Sequence, residues 1–410
     1  MNIWLINHYA VPPQYYPLAR QTYFAKYLMQ MGHQVTIFAA STVHNSNQNL
    51  IEDRTPYREE TVNGVHYVYI RCHGYQGNGL KRIYNICEFA WKLPGVCKHF
   101  PKPDAIVVTS MPPTSCAVGV HLAKKYRCRG IAEIADLWPE SIVAFGVAGP
   151  NHPGVRVLRH VEKWIYKNAD AVVFTMEGGY DYITEQGWDQ EIPRSKVFHI
   201  NNGVDLPTFD HDKEAYQLDD PDLENENQFN IIYAGSIRKA NNLGLLLDVA
   251  KKVTAPNVKF LIWGGGEDLP ELEKRLEDEN IRNVVFKGRV EKKYIPYITS
   301  RANMSILNYS MNQIWRYGGS QNKLFEYFAG GSPVLTNLVM GYDLIERYKS
   351  GFHVDYADLD KAAEEISRIA AMDKTEYDVY CQNARHVAEQ YDFRILTQKL
   401  LEVIQGKKEQ

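Results

Sequence analysis

Short β-branched or apolar runs alternate with longer amphipathic segments along the whole chain. The runs predict strands over 2–6, 34–39, 66–71, 105–109, 130–134, 171–174 and 197–200, then over 229–234, 258–263, 284–287, 304–307 and 333–336. Between them, segments such as 21–31, 241–252 and 269–279 space apolar residues three to four apart, as one buried helix face requires. Alternating strands and helices build parallel sheets covered on both faces, and two such series imply two doubly wound α/β domains. After Asn201-Asn202-Gly203-Val204-Asp205, residues 206–228 are acidic, polar and almost without apolar periodicity, which reads as a linker. The expected domains are therefore 1–205 and 206–389. A last helix, within 390–406, carries Phe393, Leu396, Leu400 and Leu401 on one side.

Composition narrows this little: 410 residues suit two domains of roughly 200 residues each. The first residues read as a strand and not as a signal peptide, and no apolar run is long enough to span a bilayer. Cys72, Cys87, Cys97, Cys116, Cys128 and Cys381 show neither paired spacing nor a His partner, so no metal is expected and reduced thiols in a cytoplasm are. Charge says more. The net charge is −3, but residues 1–130 hold 14 Lys/Arg against 6 Asp/Glu, about +8, leaving −11 for the rest. A basic first part suggests an anionic partner such as a membrane surface or a lipid diphosphate, or else a plain surface bias. Basic and aromatic residues form no recognised nucleic-acid module.

Ligands of open parallel sheets bind beyond the carboxyl ends of the strands. Three loops in the second half fit. After 229–234, Gly235 and Ser236 allow close approach, and Arg238 and Lys239 precede a helix start near Asn241 whose free N–H groups suit phosphate. Gly264, Gly265 and Gly266 follow the next strand. They are not a dinucleotide fingerprint, since the first turn of the chain, 7–16, lacks glycine. In the third loop Gly318 and Gly319 precede Ser320-Gln321-Asn322, and a helix then carries Lys323, Leu324 and Glu326. A lysine at a helix start suits a diphosphate, and a glutamate one turn on can accept from a ribose diol, or else serve as a capping or solvated residue. Gly330 and Gly331 end that helix.

In order and spacing, residues 201–205, 233–243, 263–268, 286–290 and 322–335 resemble the retaining GT-B glycosyltransferases of family 4, over essentially the whole chain. Residues 134–141 (IADLWPES) look like the branch that builds capsule, O-antigen (lipopolysaccharide) and related surface polysaccharides, including N-acetylfucosamine-type transferases. The resemblance implies a hexosyltransferase whose second domain binds a UDP-sugar, with Gly288, Arg289 and Val290 by the base, Glu326 by the ribose and the Gly235 loop by the pyrophosphate. It implies an acceptor-binding first domain using loops such as 8–20, hence Tyr15, Tyr16 and Arg20. It also implies that the last helix packs back on that domain. Three departures stand out. Gly318 occupies the position of the family's first acid, eight before Glu326. Ser236 and Asn241 replace the usual Arg and Lys, leaving Arg238, Lys239 or Lys323 to supply the charge. The usual glycine pair of the first loop is missing around 15–18.

No DxD pair closes a strand, which agrees with departure of the diphosphate assisted by Lys/Arg and helix termini, without a metal or other cofactor. Asp136, polar at a strand end before an exposed Trp138-Pro139, is placed near the reacting sugar, or alternatively is a helix cap or turn residue. Glu133 points the other way and is the poorer candidate. Residues 79–100 combine Lys81, Arg82, Lys92 and Lys98 with Ile83, Tyr84, Ile86, Phe89, Trp91 and Leu93, as an interfacial helix does. An ordinary core-packing helix produces the same pattern. With peripheral membrane contact, a polyprenyl-diphosphate-linked saccharide is the natural acceptor. Two alternatives remain: a nucleotide-sugar epimerase of the same shape, and a non-catalytic nucleotide-sugar-binding partner.

Overall fold

A computed structural model describes residues 1–15, 20–44, 46–77 and 79–407. The chain divides into two compact units, one of Met1–Asn201 with the segment from Phe393 onward, the other of Asn202–Asp392.

The first unit holds β1 (Asn2–Ile6), β2 (Gln34–Ala40), β3 (Tyr57–Val62), β4 (Val65–Ile70), β5 (Ala105–Thr109), β6 (Arg129–Ile134), β7 (Ala171–Phe174) and β8 (Val197–His199). They form one sheet in the order β3-β4-β2-β1-β5-β6-β7-β8. Every pair but one is parallel, and runs such as Ala-Ile-Val-Val-Thr in β5 are buried throughout, as a sheet covered on both faces demands. The exception is β3, antiparallel to β4 at the sheet edge. Its sequence, Tyr-Arg-Glu-Glu-Thr-Val, is polar and exposed, so no apolar run announces it. Charged side chains there keep the open edge from pairing with another chain. Asn63 and Gly64, at φ 49° and 82°, make the two-residue turn that joins β3 to β4.

The last helix, Phe393–Ile404, belongs to this unit. Phe393 lies 4.8 Å from the Tyr23 ring and 5.6 Å from Phe24 of the helix Arg20–Gln30. Leu396, Leu400 and Leu401 are buried, and Arg129 Nε donates to the Val403 carbonyl at 2.8 Å.

The second unit holds β9 (Phe229–Ser236), β10 (Val258–Gly265), β11 (Val284–Gly288), β12 (Met304–Leu307), β13 (Val334–Thr336) and β14 (Gly351–His353), all parallel, in the order β11-β10-β9-β12-β13-β14. Its largest core packs Ile231, Tyr233, Phe260, Ile262 and Ile306 against Leu246, Leu247 and Ile366. Residues 206–228 are not an open linker: they fold into the helices Leu206–Ala215 and Pro221–Glu224. Three apolar anchors, Leu206, Phe209 and Leu223, are buried, too few to give a period in an acidic stretch. Asp205 caps the first of these helices by accepting from Thr208 N–H at 3.2 Å.

In each sheet the first strand lies inside and successive strands are added first to one side, then to the other. The order therefore switches between β1 and β5, and between β9 and β12, where crevices open at the carboxyl ends.

Candidate functional site

In the second unit β9 and β12 pair only at Met304–Ile231 and Ser305–Ile232, then separate. Tyr327, from the helix Asn322–Gly330, fills the gap: its hydroxyl accepts from Ala234 N–H at 3.0 Å and donates to the Ala234 carbonyl at 3.2 Å. The crevice thus opens without orphaning buried backbone.

One turn earlier on that helix, Lys323 Nζ donates to the Tyr233 hydroxyl at 2.9 Å. It lies 4.2 Å from the centre of the Tyr233 ring and 5.4 Å from that of Tyr309. A Cβ on Gly235 would come within 2.6 Å of the ammonium, so Lys323 sits over bare backbone at the end of β9. Burial pushes its pKa down to about 7; Lys292 adds to the fall and Glu326 opposes it. Gly264, beside Gly235 in the β9–β10 register, has φ 144°, and a Cβ there would stand 1.8 Å from the Gly235 carbonyl oxygen. Only glycine closes these two strands so tightly.

The adjoining loop is fixed from below. Asn308, buried at the end of β12, donates from Nδ2 to the Asn241 and Asn242 carbonyls, each at 2.8 Å. Ser310 N–H bonds the Ala240 carbonyl at 2.9 Å, and Ser236 Oγ donates to Asn241 Oδ1 at 3.2 Å. Arg238 and Lys239 are left exposed, their side chains without a hydrogen bond among the described residues. Arg289 reaches over the end of β10, where a Cβ on Gly265 would lie 2.4 Å from its Nε. Gly288 takes φ 75° at the end of β11, and Val290 packs against the cluster around Trp263.

In the third loop Gly318 turns at φ 97° and Asn322 is exposed. Ser320 is tied to the start of the unit: its Oγ accepts from Asn202 N–H at 3.2 Å and its carbonyl from Asn202 Nδ2 at 2.7 Å. The Gln321 carboxamide is buried with neither Nε2 nor Oε1 paired, and Gly319 makes room for it, since a Cβ there would meet Oε1 at 2.6 Å. Two expected donor residues are otherwise engaged. The Leu324 side chain is buried in the core. Glu326 is held in an ion pair by Lys292.

The first-unit residues stand as follows. Asp136 is exposed between β6 and the helix Glu140–Ala144, whose N-cap is Pro139, so Asp136 caps nothing. Trp138 beside it is half-buried, not exposed. Tyr15 donates to Glu60 Oε1 at 3.4 Å; Tyr16 lies outside the described residues. Arg20, expected to meet an acceptor, is consumed internally. Its Nε donates to Glu133 at 2.9 Å, and its two other nitrogens donate to the Asn201 and Ile200 carbonyls at 2.6 and 2.8 Å. Glu133 is buried and also accepts from Gln21 and Thr109, so this pair locks the start of one helix to the exit of β8.

Tyr233, Tyr309, Tyr327, Asn308 and Lys292 were not expected at the site. The available signal was slight: an Asn closing the apolar run Met304–Leu307 and a Tyr near the end of another. Among the described residues, no three His, Cys, Asp or Glu side chains gather as metal ligands.

Such a crevice, with a lysine over a glycine strand end, lies where open doubly wound sheets take their ligands. Comparison with known proteins gives the family. Residues 19–203 match the glycosyl transferase 4-like domain and residues 228–372 the glycosyl transferases group 1 domain. The chain belongs to the glycosyltransferases of GT-B fold. Among curated proteins it is 24% identical over 199 residues to the amylovoran biosynthesis glycosyltransferase AmsD of Erwinia amylovora, a match spanning 48% of this chain and 50% of that protein. The chain thus spans about half the length of the curated relative it matches.

Solved structures share the fold along their whole length. Sucrose-phosphate synthase from Thermosynechococcus elongatus superposes with TM-score 0.73 at 17% identity, covering 99% of this chain and 98% of that one. HepE of Anabaena, in complex with UDP and glucose, gives 0.66 at 14%, covering 99% and 100%. WaaG, a glycosyltransferase involved in lipopolysaccharide biosynthesis, gives 0.65 at 14%, covering 98% and 100%.

Proposed function

We propose that this chain transfers an N-acetylated hexosamine or deoxyhexosamine from a UDP-sugar to a polyprenyl-diphosphate-linked saccharide during surface-polysaccharide assembly, with retention and without a metal, at the cytoplasmic membrane face. The observation that carries the reading is Lys323, desolvated over Gly235 beside the helix start at Asn322. As the anomeric C–O bond to the diphosphate breaks, negative charge grows on the β-phosphate. A protonated Lys323 and the free N–H groups of that helix start are suited to receive it. The acceptor hydroxyl then bonds to the anomeric carbon and gives its proton to the oxygen of the departing diphosphate.

In this reading Glu326 exchanges Lys292 for the ribose hydroxyls, Gly288, Arg289 and Val290 border the base, and Arg238 and Lys239 draw in the pyrophosphate. Asp136 serves the reacting sugar. The Gln321 carboxamide, with donor and acceptor both unpaired, complements the N–H and C=O of an acetamido group. UDP bound to HepE supports the donor, and the lipopolysaccharide role of WaaG and the amylovoran biosynthesis named for AmsD support the pathway.

The test is transfer of label from a set of UDP-sugars to a polyprenyl-diphosphate saccharide, with and without chelator. Turnover with one N-acetylated donor, unchanged by chelator, is expected; a loss restored by magnesium contradicts the metal-free step. Donor binding with no turnover on any lipid acceptor favours a non-catalytic partner, the reading that Gly318 in place of an acid supports.

A further inference from the structure

The helix Leu80–Cys97 leaves one face uncovered. Leu80, Ile83, Tyr84 and Trp91 are 83%, 55%, 57% and 80% exposed, and Cys87 between them is exposed as well. At about 100° per residue these five positions fall within an arc of about 100°, a single stripe. The opposite side, with Phe89, Leu93, Val96 and Cys97, is buried, so the stripe is not the helix's core-facing side.

Beside the Trp91 end runs a groove of about 430 Å³ between this helix and the β3–β4 hairpin. Arg54, Tyr57, Arg71, Trp91, Lys92 and His99 line it. Tyr57 and His99 stack at 5.9 Å along it. The Lys92 ammonium is committed, donating to Glu88 and to the Arg71 carbonyl at 2.7 Å each. The guanidinium groups of Arg54 and Arg71 have neither a hydrogen bond nor an ion pair among the described residues. Two arginines without a direct ion pair thus line one groove, with Asp53 near enough to feel the Arg71 charge, in the part of the chain that carries an excess of positive charge.

An exposed tryptophan between an apolar stripe and a cationic groove matches the boundary of a bilayer, where acyl chains give way to phosphates. We propose that this groove seats the headgroup phosphate of an anionic phospholipid, with Arg54 and Arg71 as its ligands, while Leu80, Ile83, Tyr84 and Trp91 enter the lipid beside it. The inference rests on the peripheral membrane contact proposed above and assigns that contact a site and a lipid class. A second copy of the chain is the competing occupant, which self-association without vesicle binding would reveal.

The experiment is sedimentation of the full chain with vesicles of phosphatidylcholine, with or without phosphatidylglycerol, alongside stabilisation by UDP-sugar as an independent readout of the donor site. Wild type is expected to prefer the anionic vesicles. Arg54→Gln with Arg71→Gln should remove that preference, weakening anionic binding on the order of tenfold or more while sparing neutral vesicles. Leu80→Ser with Trp91→Ser should weaken binding to both. All variants should keep the wild-type melting temperature and response to UDP-sugar. Equal wild-type binding to both vesicle types, or an anionic preference surviving in the arginine variant, overturns the headgroup site. Stripe-dependent self-association without vesicle binding overturns the lipid altogether. A failed UDP-sugar response with intact vesicle binding counts against the donor reading alone.

Discussion

At Lys323 three influences meet: enclosure by Tyr233 and Tyr309, the nearby Lys292, and Glu326 one turn away. Burial dominates and holds the pKa near 7, against about 10.4 for a lysine in an unfolded chain. Between those values the unfolded chain binds a proton that the folded protein does not, so stability should rise with pH across that window. Phosphate binding needs the charged form, so UDP affinity should fall as pH rises above about 7. Opposite slopes in urea unfolding and in titration calorimetry, both flattened in Lys323→Met, are the expected outcome; parallel slopes would deny the lysine its role. Lys292 makes a second case. Lys292→Ala frees Glu326 and should leave UDP binding equal or tighter, whereas Glu326→Ala should weaken it roughly tenfold through loss of a charged acceptor. Unchanged UDP affinity in Glu326→Ala would remove that residue from the site. The Lys323–Glu326 spacing was legible because both lie on one helix. Lys292 was not, since its partner is 34 residues away. The partners of Arg20 were hidden for the same reason: Glu133 and the 200–201 carbonyls lie 113 to 181 residues off.

Parallel strands announced themselves as apolar runs because they are buried on both faces, and the expected strands agree with those found except at β3 and β14. Strand β3 is polar; its trace was the Asn63-Gly64 pair before β4. Strand β14, Gly-Phe-His, holds a single apolar residue and so makes no run. The helices of 206–228 stayed hidden because three anchors dispersed among acids give no pattern. Splitting a sheet has a cost that Tyr327 offsets. Tyr327→Phe would leave the Ala234 N–H and C=O unpaired in a buried crevice and should destabilise the chain by about 1–3 kcal/mol, read from urea unfolding. A smaller change would mean that water replaces the hydroxyl. Loss of donor response beyond that of stability would show that the crevice itself had closed.

Two units with separate sheets, each switching direction beside its first strand, give the chain two crevices, and the charge is divided unequally between its parts. Among the described residues no helix is long and apolar enough to cross a membrane. Binding of a UDP-sugar in the second-unit crevice, as proposed, is read by thermal stabilisation of the purified chain with UDP-, GDP- and ADP-sugars, without added metal. A rise in melting temperature with UDP-sugars that Lys323→Met abolishes is the expected result. No shift with any nucleotide sugar, or an equal shift in that variant, would overturn it.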